Sequence, residues 1–398
     1  MSRLKLKRKL LMGLPRRRRR VAVLLLALSA LGIAQIYPRP VDDQVPLGEQ
    51  RNVETAKPLV CVHTLLENEV DEAKIKRSLE LTRELGAATI VQFFPWAYAE
   101  AEQGRYEWFI ADRIARHAKR QGIRIIARLG LVPAWARPSD PAAPPTTLNF
   151  LPEESFADFA RYAAAFAERY ADAIDAVIIW NEPNLSFEWG FRPVDPAAYA
   201  RLLRISYPRI KAANPAVQVL AGALAPTREQ AGSGAGLNEF DYLSAMYQAG
   251  ASEFFDALAI HTYGYHDSPS AEPNPDRLNF RRAELLREIM LEHGDEHKPA
   301  FITEFGWNDH PRWAGAVRPS QRSAYTVQAF EYARENWDWA ENLCLWAFRF
   351  PADTLSHPDN FTLVSADFTL KPIYYALQDY ARGWARSEDT WLPPPRAG

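Results

Sequence analysis

Residues 107–129 read EWFIADRIARHAKRQGIRIIARL. Glu107 to Gln121 has the amphipathic pattern of a helix, Gly122 supplies a helix stop, and Arg124 to Leu129 is an apolar run of strand length. The same alternation runs outward in both directions. Further strand candidates are Leu59 to Thr64, Thr89 to Pro95, Ala176 to Trp180, Val217 to Ala223, Ala257 to Thr262, Ala300 to Glu304 and Leu343 to Phe348. Helical patterns lie around Asp71 to Leu85, Glu153 to Tyr170, Pro196 to Ala213, Asn238 to Ala249, Asp276 to His293, Ser320 to Asn336 and Pro372 to Ala385. Eight β-then-α units without a composition break predict an α/β fold, a (β/α)8 TIM barrel, over residues 59–398. An open sheet built of the same units is the structural alternative.

The chain has 398 residues, 47% of them hydrophobic, which is enough for one large barrel core. Its net charge is −2, yet residues 3–20 carry ten Lys or Arg and no acid, so the rest of the chain is acidic. That balance argues against nucleic-acid binding by the body. The basic segment 1–20 runs straight into the uncharged apolar stretch 21–36, the pattern of a signal-anchor helix with its positive flank in the cytoplasm. The reading favours retention as a membrane anchor, with the domain outside the cytoplasm. Sixteen residues fall just short of a comfortable span, and Gly32-Ile33-Ala34 offers a small-residue cleavage site, so a secreted product is the alternative. Residues 37–58 form a polar, Pro-containing linker. Cys61 and Cys344 are the two cysteines, on the first and last strand candidates, which a closed barrel makes neighbours. A bridge is conceivable in an oxidising compartment, but two buried free thiols are the favoured reading.

The longer irregular segments follow strand candidates, where a barrel places its active-site face. Two carboxylates stand there in distinctive settings. Glu182 ends the fourth strand within Trp180-Asn181-Glu182-Pro183-Asn184, and Glu304 ends the seventh within Thr303-Glu304-Phe305-Gly306-Trp307. In a closed barrel they face each other across the mouth. Two opposed carboxyl groups are what glycoside hydrolysis requires, about 5 to 5.5 Å apart for retention and about 6.5 to 9.5 Å for inversion.

On those two motifs the chain resembles the clan of TIM-barrel retaining glycoside hydrolases, and most closely glycoside hydrolase family 39, over roughly residues 59–385. The resemblance implies that Glu182 is the acid/base and Glu304 the nucleophile. It implies that Asn181 donates to the sugar 2-hydroxyl and that His261 and Tyr263, in His261-Thr262-Tyr263-Gly264, line the site. It also points to Trp346 on strand eight as the platform for the reacting sugar. Gln92 stands where many relatives carry an arginine, which is a departure from the pattern.

Each role also has a chemical basis. Burial and the charge of its partner favour the protonated form that Glu182 needs, while Glu304 must stay ionised and needs donors around it. Arg128 near the end of strand three is a candidate to hold the nucleophile's charge or a sugar hydroxyl, or else to fill a barrel layer. His63 is another candidate sugar contact. Sugars present apolar faces, so Trp96, Trp135 and Trp307 at strand ends or in following loops are candidate platforms, with packing as the competing reading.

The eight histidines are scattered without metal-ligand spacing and no Gly-x-Ser-x-Gly elbow occurs, so neither metal nor serine chemistry is expected, and no cofactor. The expectation is a membrane-anchored retaining β-glycoside hydrolase acting on an oligo- or polysaccharide, conceivably an exopolysaccharide. The rivals are a catalytically silent carbohydrate-binding barrel in polysaccharide export, and a transglycosylase on the same carboxylates. Sugar, linkage and oligomeric state are not legible.

Overall fold

The computed structural model describes residues 45–138 and 146–384. The apolar segment 21–36 lies outside these residues, and among those described no helix is long and apolar enough to cross a membrane.

Eight parallel strands close in sequence order into a barrel: β1 Val60–Thr64, β2 Thr89–Pro95, β3 Arg124–Gly130, β4 Ile174–Ile179, β5 Gln218–Leu224, β6 Ala257–Tyr263, β7 Ala300–Gly306 and β8 Ala340–Leu345. The main helices that follow them are α1 Glu72–Leu85, α2 Phe109–Gln121, α3 Phe156–Arg169, α4 Pro196–Ala213, α5 Glu239–Gln248, α6 Arg282–Glu292, α7 Pro319–Asn336 and α8 Pro372–Arg382. The open sheet is thereby excluded.

The stop at Gly122 has a specific geometry. Its φ of 66° is left-handed, its N–H bonds Lys119 O at 3.0 Å, and Ile123 N–H reaches Ala118 O at 2.9 Å. This paired closure satisfies the last carbonyls of α2 and turns the chain directly into β3. α6 starts six residues later than its sequence pattern suggests, because Asn274 turns the chain by accepting from Asp276 N–H at 2.7 Å. Segment 47–58 hydrogen-bonds onto the barrel unit, with Ala56 N–H on Ala381 O at 2.9 Å and Thr55 Oγ1 on Gly86 O at 2.8 Å.

Side chains alternate across each strand, giving two apolar layers. One fills the space between strands and helices. The other occupies the barrel interior and includes Cys61, Val91, Ile126, Ile178, Leu220, Phe301 and Cys344. Cys61 and Cys344 pair in register across the β1–β8 seam and are joined by a disulfide, which corrects the expectation of free thiols. Two inward-facing cysteines on adjacent strands, one on each side of the closing seam, leave their sulfurs within bonding reach.

Candidate active site

Three backbone irregularities aim the site. β7 continues two residues past Glu304, so the glutamate is inside the strand rather than at its end. The β6–β7 register runs Ile260 opposite Ile302 and then His261 opposite Glu304, passing over Thr303. That bulge turns Glu304 inward beside His261. On the opposite wall β4 stops at Ile179, and Trp180 and Glu182 take left-handed φ values of 72° and 42°. Glu182 N–H is held at 3.1 Å by the carbonyl of Ala223, itself skipped in the β5–β6 register. Two bulges and a strand end thus fix where the two carboxylates point.

The barrel mouth is built from the inward residues of successive strands. His261 Nδ1 lies 2.7 Å from Glu182 Oε1 and 3.7 Å from Glu304 Oε2. Donor atoms of Glu182, His261 and Glu304 all fall within 4.8 Å of one another. One oxygen of each carboxylate therefore lies within 4.8 Å of the other. The same three residues have the spacing of a cation site.

Glu304 is surrounded by donors. Arg128 Nη1 lies 2.8 Å from Oε1, the Tyr263 hydroxyl donates to Oε2 at 2.7 Å, and His63 Nε2 stands 3.4 Å from Oε1. Burial alone would raise its pKa, but the charge of His261, the His63 ring, the Arg128 guanidinium and the Tyr263 hydroxyl outweigh it and hold the carboxyl low, at about 2. His63 contributes polarity rather than charge, because burial and then Arg128 push its own pKa down to about 3. Arg128 is a permanent cation. For His261, burial pulls downward, but the negative charge of Glu304 and the hydrogen bond to Glu182 win and raise it. His261 thus stands between the two carboxylates, its Nδ1 closer to Glu182 than to Glu304.

Arg128 Nη1 also donates to Asn181 Oδ1 at 2.8 Å, which orients that amide. Gln92 faces outward, accepting from Thr64 Oγ1 at 2.7 Å and from Leu66 N–H at 3.1 Å. Arg128 lies opposite Phe93 on the neighbouring strand, so the guanidinium that reaches Glu304 comes from β3 and not from the Gln92 position. Trp346 borders the mouth, its ring 6.4 Å from that of Tyr263 and 5.2 Å from Phe361.

Other candidates sit elsewhere. Trp96 is fully buried, its indole N–H spent on Glu100 at 2.6 Å, and Trp135 packs edge-on against it with its N–H on Glu100 O at 2.7 Å. Trp307 is buried against Phe280, Phe305 and Tyr325, donating to Asp267 O at 2.7 Å. None of the three rings is brought to Glu182 and Glu304, because each is committed to packing between strand ends and loops.

Sequence reading missed a third carboxylate, Glu188, in the loop after β4. With Phe93, Arg128, Leu131, Asn149, Trp180 and Asn181 it lines a cleft of about 160 Å3 beside the pair. Burial and then the charge of Glu182 push its pKa up to about 7. Nothing in the local sequence separates it from an ordinary loop glutamate.

No family model matches this chain, and no curated protein matches it. Solved structures do. A family 39 glycoside hydrolase from the gut symbiont Bacteroides cellulosilyticus superposes with a TM-score of 0.65 at 22% identity, over 84% of this chain and 65% of that one. The chain therefore spans about two thirds of that protein's length. A family 39 β-xylosidase from Caulobacter crescentus gives 0.59 at 19% identity, over 83% and 72% of the two chains. An exo-β-1,4-mannosidase from an Opitutaceae bacterium gives 0.56 at 18%, over 87% and 62%. At these identities the likeness establishes architecture: the chain has the closed eight-stranded barrel found in glycoside hydrolases of family 39 and its clan.

Proposed function

We propose that the chain is a retaining β-glycoside hydrolase acting on an oligo- or polysaccharide, with Glu304 as nucleophile and Glu182 as acid/base. The observation that carries this reading is the close approach of the two carboxylates in unlike environments. Glu304 has a cation and a hydroxyl on its two oxygens and is held ionised. Glu182 has a histidine ring nitrogen 2.7 Å from its Oε1.

In the first step a Glu304 oxygen attacks the anomeric carbon as the bond to the leaving oxygen breaks, and Glu182 gives its proton to that oxygen. Glu182, now a carboxylate, then takes a proton from water. The water oxygen attacks the same carbon and Glu304 departs. Arg128 and Tyr263 neutralise Glu304 whenever it carries charge, and Trp346 offers an apolar face for the ring. The neighbours' xyloside and mannoside activities suggest a β-linked neutral sugar, and an exopolysaccharide fits the anchored placement. That placement, outside the cytoplasm on an amino-terminal helix or secreted after cleavage, is supported by the Cys61–Cys344 bond, which oxidising compartments sustain.

The test is trapping with an activated 2-fluoro β-glycoside followed by peptide mass spectrometry. The adduct should sit on Glu304, vanish in Glu304→Gln, and accumulate in Glu182→Gln until azide releases it. Methanolysis of an aryl β-glycoside that yields the inverted anomer, or an adduct on another residue, would sink the assignment. Protease accessibility of the domain in intact cells checks the placement.

A further inference from the structure

Glu188 is not needed by the double displacement, yet it is tied to it. Its Oε2 accepts from Asn149 Nδ2 at 3.1 Å. The Asn181 side chain also hydrogen-bonds its carboxyl, while Asn181 Oδ1 accepts from Arg128, which holds Glu304. A single row of contacts therefore runs Glu304, Arg128, Asn181, Glu188, Asn149 along one side of the mouth. Asn149 also reaches the carbonyl of Phe187 at 3.4 Å, fastening the loop after β3 to the loop after β4. Phe187 and Phe191 on that second loop are 46% and 71% exposed, an apolar rim on the segment that carries Glu188.

The cleft's size narrows the occupant. At about 160 Å3, it compares with the roughly 150 Å3 that admits a single six-membered ring in an engineered cavity. Its lining divides into an apolar wall of Phe93, Leu131 and Trp180 and a polar wall ending in Glu188. A ring with one apolar face and a hydroxyl-bearing edge fits such a division.

We propose that Glu188 is a specificity-determining residue that accepts hydrogen bonds from two adjacent, unsubstituted hydroxyls of a sugar ring that occupies this cleft beside Glu182 and Glu304. A carboxylate is acceptor-only when ionised, and with Asn149 and Asn181 already on it, the remaining lone pairs can be met by hydroxyl donors. Its surroundings disfavour the bare charge, so hydroxyl donors from a sugar replace solvation that the protein withholds. A sugar acylated or otherwise blocked at those positions brings no donor and leaves the carboxylate unpaired. This rests on the glycosidase reading and goes further by naming the recognised feature.

The experiment uses the full chain and its Glu188→Gln and Glu188→Ala variants with 4-nitrophenyl β-D-xyloside and β-D-glucoside and their 2-deoxy and 3-deoxy analogues. Wild type should lose about 10- to 100-fold in kcat/KM for the analogue lacking a contacted hydroxyl, the range of a hydrogen bond to a charged group. In both variants the parent should fall by a similar factor and the deoxy penalty should shrink to about threefold or less, the non-additivity of a direct contact. Deoxy penalties that persist unchanged in both variants overturn the proposal, since a merely structural residue lowers all substrates alike. The 2-fluoro adduct on wild-type Glu304 reports the hydrolase reading separately. If neither adduct nor turnover forms, calorimetric binding of the parent glycosides must still weaken in both variants, or the subsite falls too.

Discussion

Replacing Arg128 by alanine removes a permanent cation from the site. Its Nη1 stands 2.8 Å from Glu304 Oε1 and 2.8 Å from Asn181 Oδ1, so one nitrogen serves both the nucleophile and the neighbour of the acid. Unit charges about 4 Å apart attract by roughly 4 kcal/mol at an effective dielectric of 20. Removing one preorganised donor from a charge that changes in the reaction typically costs about 2.7–4 kcal/mol of transition-state stabilisation. Glu304 would keep the Tyr263 hydroxyl and the two histidines, so the lower end, about 3 kcal/mol, is the better figure, and it corresponds to roughly a hundredfold in kcat/KM. The pH profile should move as well. Without Arg128, burial weighs more heavily in the balance that sets Glu304, its pKa rises, and the acidic limb of kcat/KM shifts to higher pH. Arg128→Lys should restore much of that limb but less of the rate, because a flexible ammonium stem does not hold its nitrogen fixed between Glu304 and Asn181 as the rigid guanidinium does. The assay is a pH series on an activated aryl β-glycoside, with thermal melts confirming that both variants fold. A kcat/KM within about threefold of wild type and an unmoved acidic limb would refute the argument and leave Arg128 as a barrel-filling residue.

His63 is buried with its pKa held at about 3, below the ordinary 6.5, so the unfolded chain binds its proton first as pH falls. The stability it contributes is present above about 6.5 and lost progressively down to about 3. His63→Gln should flatten the fall in urea midpoint across that window; an unchanged slope would assign the acid sensitivity to other groups. The Cys61→Ala, Cys344→Ala double variant should lose roughly 2–4 kcal/mol of stability while the folded protein keeps its rate, read by thermal melting and initial velocities. Zinc should inhibit reversibly and compete with substrate, because Glu182, His261 and Glu304 offer donor atoms within 4.8 Å of one another. Relief by chelator supports this, and insensitivity to millimolar zinc counts against a cation site at these three residues.

Much of the fold was open to reading because each strand and helix pattern is local. β2 and α4 have the limits their sequences suggest, Thr89–Pro95 and Pro196–Ala213. β8 departs because Glu341 and Asn342 interrupt its apolar run, while Phe348, apolar and strand-like, leaves the β7–β8 ladder and bonds His63 O at 2.8 Å instead. In the site, period-two alternation is enough to send His261 and Tyr263 to the same interior face. Arg128 was ambiguous because a strand pattern does not say which acid an inward cation meets across the barrel. Tryptophans such as Trp96 and Trp307 were harder still. Whether an indole after a strand packs or faces a cleft depends on loop paths, and here Glu100 and Asp267 capture their N–H groups. Glu188 was invisible for the same reason: its neighbours Asn149 and Asn181 come from two different loops.

The bond between Cys61 and Cys344 joins residues 283 positions apart, on the first and last strands, with both sulfurs sealed inside the barrel. Docking of the final strand brings the two sulfurs together, and a reagent can reach the finished bond only if the ring opens. The cystine therefore locks the circle chemically: once it has formed, the first and last strands stay tethered even in a chain that unfolds.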